Sequence, residues 1–105
     1  MLFRLVIRRT GTLSQAFETL QAFATQARDC RGDRPATVVR CLELDNLVLT
    51  AQAIALAALT REESRGTHYR EEFPIQNDAV WHCNVVVSQS ADGDLQVRKA
   101  PVVTS

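Results

Sequence analysis

Residues 47–74 read LVLTAQAIALAALTREESRGTHYREEFP. The first thirteen of these, Leu47 to Leu59, contain only Thr50 and Gln52 as polar residues. The last fourteen, Arg61 to Pro74, contain seven Arg or Glu residues together with His68 and Gly66. The run belongs to a helix predicted over about 35–63, roughly 40 Å long at 1.5 Å per residue. The first half of that helix is amphipathic, with Val38, Val39, Leu42 and Leu49 set against Arg40, Glu43 and Asp45. Its second half is apolar on nearly every face and has to be covered on more than one side. Gly66 is the expected end of the helix or a sharp bend in it. A solvated turn needs far fewer charges than this segment carries, which implies that a surface outside the chain meets it.

Toward the N-terminus, Cys30 to Pro35 (CRGDRP) is a loop, with Gly32 as terminator, Asp33 as N-cap and Pro35 in the first helical turn. An earlier helix is expected from Thr12, paired with Gln15 in a capping box, to about Arg28. Its apolar stripe is Leu13, Ala16, Phe17, Leu20, Phe23, Ala24 and Ala27. Met1 to Ile7 (MLFRLVI) is a strand or the tail of a helix, and an opening in mid-element implies that earlier residues are missing. Toward the C-terminus, Phe73-Pro74 closes the charged segment and Asn77-Asp78 begins a turn. Val85 to Ser88 and Leu95 to Lys99, joined through Asp92-Gly93, form a β-hairpin. The expected fold is therefore mainly α and three-helix-bundle-like, a single domain with helices over 1–74 and a turn and hairpin tail over 75–105.

The chain has 105 residues and twelve basic residues against twelve acidic ones. One domain fits that length, and the balance argues against nucleic-acid or anionic-membrane binding as the main task. The apolar run is too short to span a bilayer, and no signal peptide is visible, so a cytoplasmic protein without direct membrane insertion is expected. Cys30, Cys41 and Cys83 are an odd count without CxxC spacing and read as free thiols in a reducing compartment. His82 and Cys83 are neighbours that a strand would point to opposite faces, a poor metal site. The four glycines are isolated, with no dinucleotide or phosphate loop among them. His68 with Arg65, Tyr69 and Arg70 could make an anion-binding or acid–base cluster. A capping network of Glu62, Glu63 and the arginines at a helix end is the favoured reading. Trp81 is expected to anchor against the bundle.

Asn46-Leu47-Val48, Glu63-Ser64-Arg65-Gly66, His68-Tyr69-Arg70, Pro74, Asp78 and Trp81 form an ordered series. It resembles the C-terminal helical domain of the flavoprotein family that contains L-aspartate oxidase and the flavoprotein subunits of succinate dehydrogenase and fumarate reductase. Thr67, Glu72 and Asn77 depart from that pattern, where alanine and two aspartates are usual. Tyr69-Arg70 and Phe73-Pro74 look more like the L-aspartate oxidase branch. The resemblance implies about three bundled helices packed against FAD-binding and capping domains that this chain lacks. It implies an intact parent that oxidises L-aspartate to iminoaspartate for NAD biosynthesis, or one that handles succinate and fumarate. No catalytic, cofactor-binding or metal residue carries over, so the chain alone is expected to be inactive and to bind no FAD. Glu63, Ser64, Arg65, His68, Tyr69 and Arg70 carry over as an inter-domain motif. A standalone helical interaction module is the reading from a different class, and an uncovered long helix would make the isolated chain self-associate.

Overall fold

A computed structural model describes residues 7–103. In chain order it contains β1 (Ile7–Arg8), α1 (Thr10–Arg28), α2 (Pro35–Thr60), β2 (Tyr69–Arg70), α3 (Asp78–Trp81), β3 (Cys83–Gln89) and β4 (Leu95–Pro101). The mainly α architecture with one long helix and a small antiparallel hairpin matches the sequence reading. The segment Met1–Val6, expected as strand or helix tail, lies outside the described residues. Ile7–Arg8 is a strand, paired in parallel with Tyr69–Arg70.

The loop after α1 folds α2 back along it, and Leu13 and Ala27 of the α1 stripe meet Val48, Ala55 and Ala58 of α2 in the core. The hairpin packs against another side of α2. Its strands run from Cys83↔Pro101 to Gln89↔Leu95, so that β3 is longer at both ends than the valine alternation predicted and β4 only at its C-terminal end. Gly93 sits at φ +90°, a conformation that closes the tip and that side chains rarely adopt. Trp81 anchors α3 in the interior at 7% exposure.

The ends of the helices differ from the expected ones. Thr12 and Gln15 do not cap α1, because the helix already begins at Thr10, with Arg9 as an N-cap that makes no side-chain cap bond. The Thr10 N–H is instead satisfied by the Glu72 carboxylate, 2.7 Å away and sixty-two residues on. Asp33 does not cap α2; Arg34 is the extended N-cap residue, and its N–H is accepted by Thr37 Oγ1 at 3.1 Å. Helix α2 stops at Thr60 rather than near Glu63, since Arg61 turns to extended geometry with ψ 102°.

The expectation of free thiols at Cys30 and Cys41 is overturned. These residues are joined by a disulfide with Cα atoms 5.7 Å apart, while Cys83 remains a free thiol. The tight loop brings them together. A Cβ placed on Gly32 would lie 2.5 Å from the Val38 nitrogen, so glycine lets the loop press against the first turns of α2. By length and composition the full α2 is also apolar enough to cross a membrane, which the shorter apolar run was not. Here α1 and the hairpin lie along it, as neighbours lie along the core helix of a bundle. Coverage is still incomplete: Leu42, Leu47 and Ile54 are 61%, 68% and 55% exposed.

Candidate functional site at the end of the long helix

An α-helix leaves its last carbonyls without intrahelical donors. At the end of α2 one side chain meets that need. Arg70 Nη1 donates to the carbonyls of Ala58 (3.0 Å), Leu59 (2.9 Å) and Arg61 (3.2 Å). Its Nη2 donates to Thr10 Oγ1 at 2.7 Å, which ties the start of α1 to the end of α2. A cation at the negative end of a helix is also favoured by the macrodipole. Arg70 is 1% exposed; its guanidinium lies over the Phe73 ring at 5.1 Å, and its Nε faces Glu72 Oε1 at 3.6 Å.

Glu63 is the second buried charge, at 0% exposure. Its carboxylate accepts from Arg61, from Arg65 Nε at 3.0 Å and Nη2 at 3.3 Å, and from the Asn77 backbone N–H at 2.9 Å. Burial alone would raise its pKa, but the bonds from Arg65, Asn77 and Arg61 overcome that and hold it below the usual carboxylate value. Arg65 is also paired with Asp78 at the start of α3. Arg61 reaches across to the carbonyls of Trp81 (2.9 Å) and Cys83 (2.6 Å), binding the hairpin to the same cluster.

The turn between these charges has its own fastening. Arg65 and His68 exchange backbone hydrogen bonds of 2.8 and 2.9 Å around Gly66, whose φ of +58° explains the glycine there. Ser64 Oγ accepts from the Arg70 N–H at 3.0 Å and donates to the Phe73 carbonyl at 2.7 Å. His68 Nδ1 lies 2.7 Å from Arg8 Nη1, and Nε2 lies 3.1 Å from the Arg61 carbonyl. Only a neutral ring with its proton on Nε2 satisfies both neighbours, since a guanidinium donates and a carbonyl accepts. Burial first, then the charges of Arg8, Arg70 and Arg61, push its pKa down, against a raising contribution from the Arg61 carbonyl.

The structure thus brings Glu63, Ser64, Arg65, His68 and Arg70 into one network. Glu63 and Arg70 point inward, whereas Tyr69 is 40% exposed and the Arg65 side chain 30%. Sequence reasoning missed Arg8, Thr10 and Glu72 as members, because Arg8 and Thr10 meet partners sixty residues away; the run of unlike charges in Glu71-Glu72 and Arg8-Arg9 was the available signal. Two surface grooves run along the helices away from this network. One, of about 750 Å³, lies beneath the hairpin tip by Gln21, Asn46 and Asp94, and the other, of about 680 Å³, lies between Phe23 and Leu47. Neither Gly32 nor Gly66 fits a flavin pyrophosphate, which needs a cradle of glycine backbone at a helix N-terminus: the space at Gly32 is filled by the backbone of Thr37 and Val38, and Gly66 serves a turn beyond the end of α2.

Residues 4–105 match the family described as fumarate reductase flavoprotein C-term. The L-aspartate oxidase of Streptomyces coelicolor is 33% identical over 95 residues, a match spanning 88% of this chain and 16% of that protein. The fumarate reductase flavoprotein subunit of Mycobacterium tuberculosis is 34% identical over 102 residues, spanning 92% of this chain and 18% of the other. Among solved structures, quinol fumarate reductase from E. coli superposes with a TM-score of 0.87 at 19% identity, over 98% of this chain and 20% of its own. Adenylylsulfate reductase from Archaeoglobus fulgidus gives a TM-score of 0.84 at 26% identity, over 98% of this chain and 16% of its own.

Proposed function

The chain belongs to the fumarate reductase flavoprotein C-terminal family, and from that premise we propose that it is the helical C-terminal domain of an L-aspartate oxidase. The observation that carries a docking role is the division within the charged network. Glu63 and Arg70 are consumed in holding the domain's own ends, while Arg65 and Tyr69 stay at the surface, as do Ile75 and Val80. In this reading the outer side of Arg65, His68 and Tyr69 meets the FAD-binding and capping domains of the parent, while Arg70 supports that face from beneath. Charged groups buried at such a junction need partners already in place, which the Glu63 and Asp78 pairs with Arg65 supply.

The parent would oxidise L-aspartate to iminoaspartate with FAD held by its other domains, and this chain would contribute no catalytic group. Tyr69-Arg70, Phe73-Pro74 and the likeness to the Streptomyces coelicolor enzyme support that choice of substrate. A succinate dehydrogenase or fumarate reductase flavoprotein subunit is the second reading, supported by the longer match to the Mycobacterium tuberculosis subunit. The deciding experiment is purification of the full parent polypeptide and assay with both substrates. Peroxide formation from L-aspartate in air supports the first reading. Dye-linked succinate oxidation with no turnover of aspartate replaces it with the second.

A further inference from the structure

His68 is one of several side chains that fasten the start of the described chain to the charged network, beside Arg9 on Glu71 and Thr10 on Glu72 and Arg70. Strand β1 is held to β2 by a two-residue parallel ladder and by the Glu71 N–H bonded to the Arg8 carbonyl at 2.8 Å. Two main-chain steps of pairing are weak on their own, so side chains carry the attachment. We propose that His68 is a proton-gated latch: its neutral ring joins Arg8 of β1 to the Arg61 carbonyl at the end of α2, and protonation of Nδ1 releases β1 from β2.

The chemistry follows from which atoms donate. Nδ1 can accept from Arg8 only while its lone pair is free. A proton there places two donors face to face at 2.7 Å. The charged groups acting on the ring are Arg8 from β1, Arg61 from the end of α2 and Arg70 from β2, so the new charge joins three cations. Neighbouring carboxylates are committed elsewhere: Glu63 holds Arg61 and Arg65, Asp78 holds Arg65, Glu71 holds Arg9, and Glu72 accepts from Thr10. The shift of the ring has the matching sign. With the folded pKa depressed, the attachment is complete above the ordinary histidine value and is lost as pH falls through the folded one. The latch belongs to this chain and does not depend on which parent carries it.

The test follows amide exchange at Glu71 and the His68 imidazole resonances in the full chain between pH 8 and pH 5. The Glu71 protection factor, corrected for intrinsic exchange, is expected to fall below about pH 6.5. Its slope should reach up to about tenfold per pH unit, the limit for one linked proton, and its midpoint should coincide with the ring titration. In His68→Gln the amide oxygen can accept from Arg8 and the amide N–H can donate to Arg61, so protection should persist without that pH dependence. A wild-type ring that titrates at or above the ordinary value, or Glu71 protection that ignores the ring, overturns the proposal. So does a His68→Gln variant that loses protection with the same midpoint. Should that variant not fold, the two wild-type measurements decide alone.

Discussion

At the C-terminal end of α2 two charged side chains, Glu63 and Arg70, are 0% and 1% exposed, while midway along the same helix Leu47 is 68% exposed. The usual arrangement of charge outside and leucine inside is reversed within four helical turns. The buried end is possible because every charge there finds an opposite partner or a carbonyl, so desolvation is offset within the chain. The bare middle is possible because α1 and the hairpin cover only part of a helix that is apolar nearly all round. One region completes the domain; the other leaves apolar surface for something else to cover.

The largest effects should come from breaking the buried end. Glu63→Ala removes the buried carboxylate shared by Arg61 and Arg65, and Arg70→Met removes the donor to the carbonyls of Ala58 and Leu59 in α2 and of its C-cap Arg61. Each should lower unfolding free energy by about 3–5 kcal/mol in urea titration. Losses under 1 kcal/mol would show that these charges are solvated rather than structural. The depressed Glu63 pKa has a defined consequence. Its contribution is complete above the ordinary carboxylate range and is lost as pH falls through the folded value, so acid unfolding of wild type should be steeper than that of Glu63→Gln.

Next in size is the disulfide at the opposite end of the helix pair. The paired Cys30→Ser, Cys41→Ser variant should lose about 3 kcal/mol, the loop-closure contribution for a separation of eleven residues. Identical melting of oxidised and reduced wild type would remove the disulfide from the account. A smaller loss, about 0.5–1 kcal/mol, is expected for Lys99→Ala, since Lys99 Nζ stands 3.8 Å from the centroid of the Trp81 ring at the edge of the buried cluster.

The bare middle should answer differently. Leu47→Lys should change stability by no more than about 0.5 kcal/mol, because so exposed a side chain has little burial to lose. It should nevertheless shift the chain toward monomer in sedimentation at high concentration, where wild type is expected to self-associate through this face. A large loss of stability from Leu47→Lys would erase the contrast between the two regions.

Much of this architecture was legible because local periodicity reports it. The stripe through Leu13 and Ala27 marked α1 and its buried side, and Asp92-Gly93 between alternating valines marked the hairpin. Gly66 was correctly singled out but for the wrong duty. It turns the chain between Arg65 and His68 five residues beyond the C-cap Arg61. The candidate site was half legible, since Glu63 to Arg70 form one charged segment, but Thr10 and Arg8 lie sixty residues from Arg70 and His68.

By itself, then, the sequence determined the two main helices and the hairpin, which helix is too apolar to stand bare, and to which family of domains the charged motif bears resemblance. Only the tertiary structure decided that Cys30 meets Cys41, that Arg70 caps α2 from a later strand, and that Glu72 serves the first amide of α1. The physical reason is range. Helix and strand preferences are set by neighbours a few residues apart, whereas a buried charge is stable only where several distant donors and acceptors converge on it at once.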